Sequence, residues 1–446
     1  MTIVYSSLNH ALRVPLAAEI HSRPFLKLDA PELVSHFAVY ADPDQQTSNA
    51  GAQHALLADL CAHFGVAAPG ADASYFFHDF GRFRLKWELH TEFATYTFAE
   101  HVEHSPPLAQ SFESMPIRHL PQQWLLGLYG KLMVAAHVAL DRSAASSEVF
   151  AKALQSVFES AGLAGSQLQH GGELWTDFVI QSDGFSRFVI REGAMRQQQA
   201  GRLVQRVLEI ETYRMMAMLG LPYARQATPA LNAIEGQLVT LAAAMVQSDG
   251  AAGDGMATDG AVEQALLEQI THLAARIEKL SLENSYRFAA SKAYFRLVNA
   301  RIEELRESRM EGIPMVQEFM DRRLRPAMDT CQAVARRQEA LARRIANSND
   351  LLRTRVGIVQ EAQNRQILQS LDARALQQLR LQQAVEGLSV AAISYYVIGL
   401  AGYSAKGAKA VGWVGSPELV MGILVPFVAA AVWLSLRNMH KRLRKS

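Results

Sequence analysis

Cysteine is almost absent from this chain, whose 446 residues contain only Cys61 and Cys331. The two cysteines lie far apart in the sequence and in unrelated local contexts, so we expect neither a disulfide framework nor a zinc cluster. A reducing compartment fits this composition. A length of 446 residues exceeds what one compact core usually holds and predicts two or three structural units.

An excess of one charge is also missing, because 44 basic residues nearly balance 43 acidic ones. Nucleic-acid binding usually requires a basic surplus, so we expect no nucleic-acid partner. The N-terminus has no basic leader followed by an apolar run, since Arg13 and Glu19 interrupt it. We therefore expect no cleavable signal peptide and a cytoplasmic location for most of the chain.

Catalytic and nucleotide-binding motifs are missing as well. The sequence contains no Gly-Lys-Ser/Thr phosphate loop and no His-Glu-x-x-His, and "GFSRF" lacks the glycines of a serine-hydrolase elbow. We therefore expect neither an enzyme nor a bound cofactor.

Charged residues are absent from two stretches near the C-terminus, residues 387–405 and 419–436. Each approaches the roughly 20 residues that a helix needs to cross a bilayer. The tail "RNMHKRLRKS" that follows holds five Lys or Arg residues, and the positive-inside rule makes it cytoplasmic. The region 386–446 is therefore predicted to form two transmembrane helices in the bacterial inner membrane, with both termini in the cytoplasm.

Residues 1–195 are predicted to form a cytoplasmic α/β or α+β domain. In "GRFRLKWELHTEF" apolar and charged residues alternate, which indicates a strand with one buried and one charged face. Asp183-Gly184 lies between two β-rich arms and predicts a hairpin. "GKLMVAAHVAL" is compatible with a buried strand or a short helix.

The remainder is predicted to be helical. Within residues 196–260 a first helix is predicted to end before Gly220. A second short helix follows, and Gln247 to Gly260 is predicted to be a flexible linker. Residues 261–385 are predicted to form a long antiparallel coiled-coil hairpin that reverses at "MEGIPM". Its first arm carries a seam in steps of three and four: Val262, Leu266, Ile270, Leu273, Ile277, Leu280, Asn284, Phe288, Ser291, Phe295, Val298, Ile302 and Leu305. Asn284, a polar exception, either fixes the helix register or is exposed.

Two groups of polar residues in the N-terminal domain are binding candidates. An anion- or carboxylate-recognition surface is predicted from five of them: His21, Arg23, Glu88, His90 and Glu92. The alternative is that alternating charges only stabilise cross-strand pairs. The second group is a metal-ligand candidate, since His101 and His104 would share a helical face with His119 close in sequence, although such residues are also common on ordinary surfaces.

The first predicted span carries small and polar residues that are candidates for helix packing or for lining a pore: Ser394, Tyr395, Gly399, Gly402, Tyr403 and Ser404. Gly399 and Gly402 permit close helix approach. The tyrosines are equally suited to helix contacts or to the membrane interface.

The order of these parts resembles the CorA-type magnesium transporters over Ile313 to Ser446: a rod helix that runs into a first span, a short loop with "SPEL", and a second span with a basic tail. That resemblance implies a homo-oligomeric cation channel in which the first span lines the central axis. The transporters carry Gly-Met-Asn at the outer end of that span, where this chain has Gly402-Tyr403-Ser404. The missing asparagine argues against magnesium selectivity.

Over nearly its full length the chain resembles a bacterial family of predicted membrane-anchored proteins of unknown function. The segments that carry this resemblance are "EIHSRPF", "FRLKWELHTEF", "GRLVQRVLEIETYRMMAMLGLP" and "VEGLSVAAISYYVIGL". Two functions follow as expectations: a homo-oligomeric cation channel or transporter of CorA-like build, or a non-conducting membrane-anchored scaffold or sensor whose cytoplasmic domain binds a ligand or a protein.

Overall fold

The structure is a computed structural model that describes residues 8–14, 16–17, 24–40, 46–128, 131–142, 145–160, 162–169, 171–193, 195–250, 256–410, 412 and 416–443. The fold is mixed α+β and 65% helical. The chain divides into two compact units, the first comprising Met1–Ala242 with Ile270–Asn347 and the second comprising Ala243–Gln269 with Ser348–Ser446.

A nine-stranded sheet forms the centre of the first unit, with the strand order β2-β3-β4-β1-β5-β8-β7-β6-β9. The strands are β1 Glu32–Tyr40, β2 Tyr75–Asp79, β3 Arg84–Leu89, β4 Phe93–His101, β5 Leu132–Asp141, β6 Ala164–Leu168, β7 Gly172–Ile180, β8 Ser186–Glu192 and β9 Glu307–Arg309. Neighbouring strands are antiparallel except β5 and β8, which run parallel.

Helices cover both faces of this sheet. The described helices are α1 Gln46–His63, α2 Leu108–Glu113, α3 Gln122–Leu126, α4 Ser147–Val157, α5 Gln197–Met218, α6 Gly220–Gly250, α7 Met256–Leu305, α8 Val316–Arg323, α9 Arg325–Ala410 and α10 Pro417–Leu443, with a 3₁₀ turn at Pro116–His119. One face packs its apolar residues against α1 to α4, and the other face lies against α5.

The predicted strand with alternating residues is confirmed as β3, and its two faces meet different surroundings. Leu85 and Trp87 are fully buried in an aromatic and aliphatic cluster with α1 and α3. Lys86 points to the opposite face and is also buried, at 4% exposure. The charged face of this strand is therefore covered by α5 rather than by solvent.

The predicted hairpin is confirmed between β7 and β8. Gly184 has a φ of 86°, a conformation that glycine adopts without steric cost. Its N–H donates to the Gln181 carbonyl at 2.9 Å, and the Gln181 N–H donates to the Phe185 carbonyl at 2.9 Å. The undecided segment "GKLMVAAHVAL" becomes β5, which pairs with β1 and β8 on its two sides and is buried almost throughout.

The predicted helix stop before Gly220 is a junction between two helices. Helix α5 ends at Met218 and α6 begins at Gly220. Pro222 falls in the first turn of α6, where a missing N–H removes no intrahelical bond. The chain therefore re-enters a helix immediately.

The predicted flexible linker is wrong for most of its length. Helix α6 continues to Gly250 and α7 begins at Met256, so Gln247 to Gly250 and Met256 to Gly260 are helical. Residues 251–255 lie outside the described part of the chain. The composition suggested a loop, but one side of α7 packs on neighbouring helices from Leu266 onward, and that packing stabilises helix more than propensity opposes it.

The predicted seam of α7 is buried at every position except Val262, which is exposed, and Leu280, which is half-buried. In the first unit the Gln338 amide of α9 donates to the Ser281 hydroxyl of α7 at 3.0 Å. Further along α7 and earlier on α9, Ser291 and Cys331 both lie beside Gly220. The helices therefore run antiparallel, as predicted, while the coiled-coil supertwist stays a prediction.

The connection between the two arms contains a strand that the sequence did not predict. After α7, β9 pairs with β6, and Gly312 turns the chain with a φ of 76°. Glu307 of β9 then accepts the N–H groups of Val316 and Gln317 at 3.2 and 2.8 Å. These contacts satisfy two backbone donors at the first turn of α8.

In the second unit, the later part of α9 and α10 form the apolar end of the chain. The side chain of Met421 on α10 lies against Gly402 on α9. Helices within 198–247 and 316–410 are long and apolar enough to cross a membrane, and 421–435 is a shorter apolar helix. Length and composition alone do not distinguish a membrane span from the core helix of a soluble protein, so the two predicted spans stay a prediction.

Candidate functional site

A cavity of about 290 Å³ opens between the sheet and α5, within the first unit. Strands β1, β3 and β4 form its floor, α5 forms its roof, and Arg301 of α7 lies at its side. The volume lies at the lower end of the range typical for small-molecule sites.

The floor presents two rows of polar side chains because paired residues in a sheet point to the same face. In one row Lys86 is paired with Thr97, and Thr97 with His36. In the next row Glu88 is paired with Thr95. All five side chains line the cavity.

His36 is held on both sides by hydroxyl groups. Its Nδ1 lies 2.8 Å from the Thr97 hydroxyl, and its Nε2 lies 3.2 Å from the Thr212 hydroxyl of α5. Burial lowers the pKa of His36 to about 3, assisted by the positive charge of Lys86 and by His90. His36 is therefore neutral near pH 7 and acts as a fixed part of the floor rather than as a charge.

Lys86 begins a chain of polar contacts that crosses from the sheet to α7. Its ammonium group lies 3.0 Å from the Glu88 carboxylate and donates to Gln205 of α5 at 3.2 Å. Gln205 donates to Glu209 at 2.7 Å, and Glu209 accepts from Arg301 of α7. We call this chain, Glu88-Lys86-Gln205-Glu209-Arg301, the cavity network.

The hydroxyl group of Thr95 has no hydrogen-bond partner, although the residue is only 5% exposed. A buried polar atom without a partner costs free energy, so most such atoms in folded proteins are satisfied. Thr95 lines the cavity. The cavity floor therefore contains a buried hydroxyl whose hydrogen-bonding capacity the fold leaves unused.

Aromatic and aliphatic side chains form the remaining wall. His90 stacks on Phe93 with their ring centroids 4.5 Å apart, and both line the cavity together with Leu26. Gly201 of α5 contacts the backbone so closely that a Cβ there would lie 1.8 Å from the Leu26 carbonyl oxygen. Only glycine permits this approach, which brings the segment around Leu26 against α5.

The structure brings together two of the five residues that the sequence predicted for an anion surface. Glu88 and His90 line the cavity. Glu92 instead forms a buried ion pair with Arg287 of α7. His21 and Arg23 lie outside the described residues.

The predicted metal ligands are not brought together. The His101 Nδ1 lies 3.0 Å from the Asp29 carbonyl oxygen, His119 lies 3.0 Å from the Glu100 carboxylate, and His104 is exposed. His101 is the last residue of strand β4 and His104 lies in the bend that follows, so the two do not share the face of a helix. Within the described ranges, no three His, Cys, Asp or Glu side chains are placed to hold a metal ion.

The predicted pore-lining residues lie on α9 in the second unit. Tyr395 and Tyr403 are three-quarters exposed, whereas Ser394 is buried. The Ser404 hydroxyl donates to the Leu400 carbonyl at 3.0 Å. Gly399 and Gly402 border a groove of about 540 Å³ that Lys406, Lys409 and Glu418 also line.

The sequence did not identify the part of the site that α5 and α7 contribute. Gln205 and Glu209 stand four residues apart on α5, a spacing that places both on one face of a helix, but that pattern is typical of an exposed surface as well. Arg301 lies far along the chain from Lys86. Only the packing of α5 and α7 on the sheet joins these residues.

A family described as a protein of unknown function, DUF3422, matches residues 8–443. This match confirms the predicted family of unknown function, and it adds no support for a relation to magnesium transporters. A search of curated proteins and a search of solved structures each found no match.

Proposed function

Since the chain belongs to DUF3422, a family of unknown function, we propose that it is a membrane-anchored sensor that binds a small molecule in the cavity beneath α5. The cavity network carries this proposal. It joins the buried Lys86 and the half-buried Glu88 of the floor to Arg301 of α7 through the side chains of α5.

A ligand that contacts Lys86 changes the cavity network at the floor of the cavity. Lys86 has three N–H donors, and two of its contacts are Glu88 and Gln205. A ligand bound to the third N–H shifts the ammonium group relative to Gln205, and a shift of the Gln205 side chain alters the support of Glu209 and Arg301. Since α7 is one helix from Met256 to Leu305, a displacement of Arg301 acts on a rigid element.

The membrane anchor in this proposal is the apolar end of α9 together with α10. Residues 387–405 carry no charge, and Leu388 and Leu400 are about 70% exposed, at 74% and 69%. Large exposed apolar side chains are costly in water and favourable in lipid. The partners proposed are the bilayer of the bacterial inner membrane and further copies of the chain, with both termini in the cytoplasm.

Truncation after Gln383 is expected to move the protein from the membrane fraction to the soluble fraction. The truncated chain lacks both uncharged stretches. The remaining helix that is long and apolar enough to span, within residues 198–247, has Leu231 and Ile234 buried inside the first unit. Sedimentation of full-length and truncated protein from the same cells measures this. Removal of only the last six residues is the control and should leave the protein sedimenting. A truncated chain that still sediments with membranes contradicts the anchor.

Replacing Gln205 by leucine is expected to increase hydrogen exchange in α7 around Arg301. Leucine has a similar size but cannot join Lys86 to Glu209, so Glu209 loses one contact that positions it against Arg301. Amide exchange of the full-length protein, followed by mass spectrometry, measures this. The matched control is Gln198→Leu on an exposed position of α5. Equal exchange of α7 in both variants would remove the main support for coupling.

A cation channel of CorA-like build is the second candidate. Tyr395, Gly399 and Tyr403 follow one another at four-residue spacing on α9, so they share one face of this helix, and symmetric copies bring such a face together. Against it, Lys406 and Lys409 border the groove at the end of the uncharged stretch, and positive charge at a pore mouth repels cations. Cation flux through the full-length protein in proteoliposomes distinguishes the two candidates.

A further inference from the structure

We propose that the cavity binds a small zwitterion of amino-acid size, one that carries a carboxylate and an ammonium group close together. This inference rests on the proposed function, because it assumes that the cavity is a binding site. It is carried by the charges of the floor, the unpartnered hydroxyl of Thr95 and the size of the cavity.

The charges that line the cavity already cancel. Lys86 pairs with Glu88, and Arg301 pairs with Glu209. The Lys86 and Glu88 side chains are only 5% and 13% exposed. A ligand with a single charge would place an unmatched charge among these groups, and unmatched buried charges are strongly unfavourable. A zwitterion adds one charge of each sign and leaves the balance unchanged.

The floor offers a partner for each end of such a ligand. Lys86 has a third N–H donor beyond its contacts to Glu88 and Gln205, and the Thr95 hydroxyl has no partner. Thr95 is paired with Glu88 across the sheet, so both face the same part of the cavity. The third N–H of Lys86 donates to a ligand carboxylate, Thr95 lies in the adjacent row of the same floor, and the Glu88 carboxylate has further lone pairs for an ammonium group.

The size and the wall restrict the ligand further. A volume of about 290 Å³ holds an amino-acid-sized molecule and excludes nucleotides and longer peptides. The stacked rings of His90 and Phe93 and the side chains of Leu26 and Leu208 favour a small apolar side group. His36 adds no charge near pH 7, because burial lowers its pKa to about 3, and both of its ring nitrogens already have hydroxyl partners.

Titration calorimetry of the full-length protein in detergent tests this inference. The probes are the common amino acids, their carboxamides, which lack the carboxylate charge, and their N-acetyl forms, which lack the ammonium charge. Neutral polyols, simple carboxylates and simple amines complete the panel. At least one amino acid is expected to bind, and both of its singly charged derivatives are expected to bind at least tenfold more weakly.

Thr95→Val is the variant that locates the site. Its hydroxyl has no partner, so the change removes a ligand contact without breaking a hydrogen bond of the fold. We expect binding to weaken roughly fivefold to tenfold, as for the loss of one hydrogen bond. The control is Thr240→Val, an exposed threonine on α6, which should leave binding unchanged. Zwitterion binding that is equal in wild type and Thr95→Val would overturn the assignment to this cavity.

Other outcomes distinguish this inference from the proposed function. If only a neutral polyol or a singly charged compound binds, and Thr95→Val weakens it, the zwitterion is wrong while the cavity remains a binding site. If no compound in the panel binds, the inference is wrong. The proposed function then stands or falls with the exchange experiment on Gln205→Leu, which requires no ligand.

Discussion

Acidification is expected to destabilise the first unit steeply between pH 6.5 and pH 3. Two buried histidines stay unprotonated in the folded protein over this range, whereas the unfolded chain protonates them. Burial lowers the pKa of both His36 and His137 to about 3 from an ordinary value of 6.5. His36 also lies near Lys86 and His90, while Arg187 lowers and Asp183 raises the pKa of His137. Burial is the largest cause of the lowered pKa in both histidines.

The direction follows from proton binding in the two states. Below pH 6.5 the unfolded chain binds more protons at these histidines than the folded protein does, so the free energy of unfolding decreases as the pH falls. Above pH 6.5 both states are unprotonated at these positions, and their contribution to stability is fully present. The slope is about 1.4 kcal/mol per pH unit for each histidine. The total loss is on the order of 5 kcal/mol for each histidine near pH 3.

Urea titrations at a series of pH values, followed by tryptophan fluorescence, measure this slope. Trp87, Trp124 and Trp175 are buried around the sheet and report on the first unit. His36→Asn is expected to reduce the slope by about 1.4 kcal/mol per pH unit, whatever its effect on stability at pH 7. His104→Gln, which removes an exposed imidazole, should leave it unchanged. A flat profile between pH 6.5 and pH 4 contradicts the prediction.

Replacing Arg287 by methionine is expected to destabilise the first unit by about 3 to 5 kcal/mol, because Glu92 is then left as a buried charge without its partner. Both side chains are almost fully buried, at 3% and 4% exposure. The Tyr40 hydroxyl lies 3.4 Å from Arg287. Burial, followed by the hydrogen bond to Glu92, raises the pKa of Tyr294, so that hydroxyl stays neutral beside the pair.

The double variant Arg287→Met with Glu92→Leu is the matched control. Replacing both members of a buried ion pair by apolar residues is often neutral or stabilising, so the double variant is expected to recover most of the stability. Urea unfolding of the four proteins in one double-mutant cycle measures the coupling. If Arg287→Met alone destabilises the first unit by less than about 1 kcal/mol, Glu92 is not left as an uncompensated buried charge, and the prediction is wrong.

Local sequence patterns determined the elements whose stability depends on near neighbours in the chain. The alternation around Lys86 and Trp87 specified β3, because a period of two leaves one face apolar whatever covers the other. Asp183-Gly184 specified the hairpin, because glycine adopts a positive φ without strain. The repeat of α7 specified a long buried seam, because steps of three and four place residues on one side of a helix.

Elements with no period of their own were not predictable in this way. Strand β9 has three residues and exists because β6 offers a free edge. The linker composition of Gln247 to Gly250 and of Met256 to Gly260 was overridden by helix packing, and the metal trio was separated because His101 ends strand β4 and His104 follows it in a bend. In each case a tertiary contact was stronger than the local preference.

The candidate site depends on both levels. The sequence alone determined that Glu88 and His90 lie on or near a polar strand face, since the strand period requires it. Only the tertiary structure decided that this face is covered by α5, that Gln205, Glu209 and Arg301 meet it, and that the Thr95 hydroxyl is buried without a partner. The physical reason is that hydrogen bonds and ion pairs act over a few ångströms of space, whereas a sequence pattern records only neighbours along the chain.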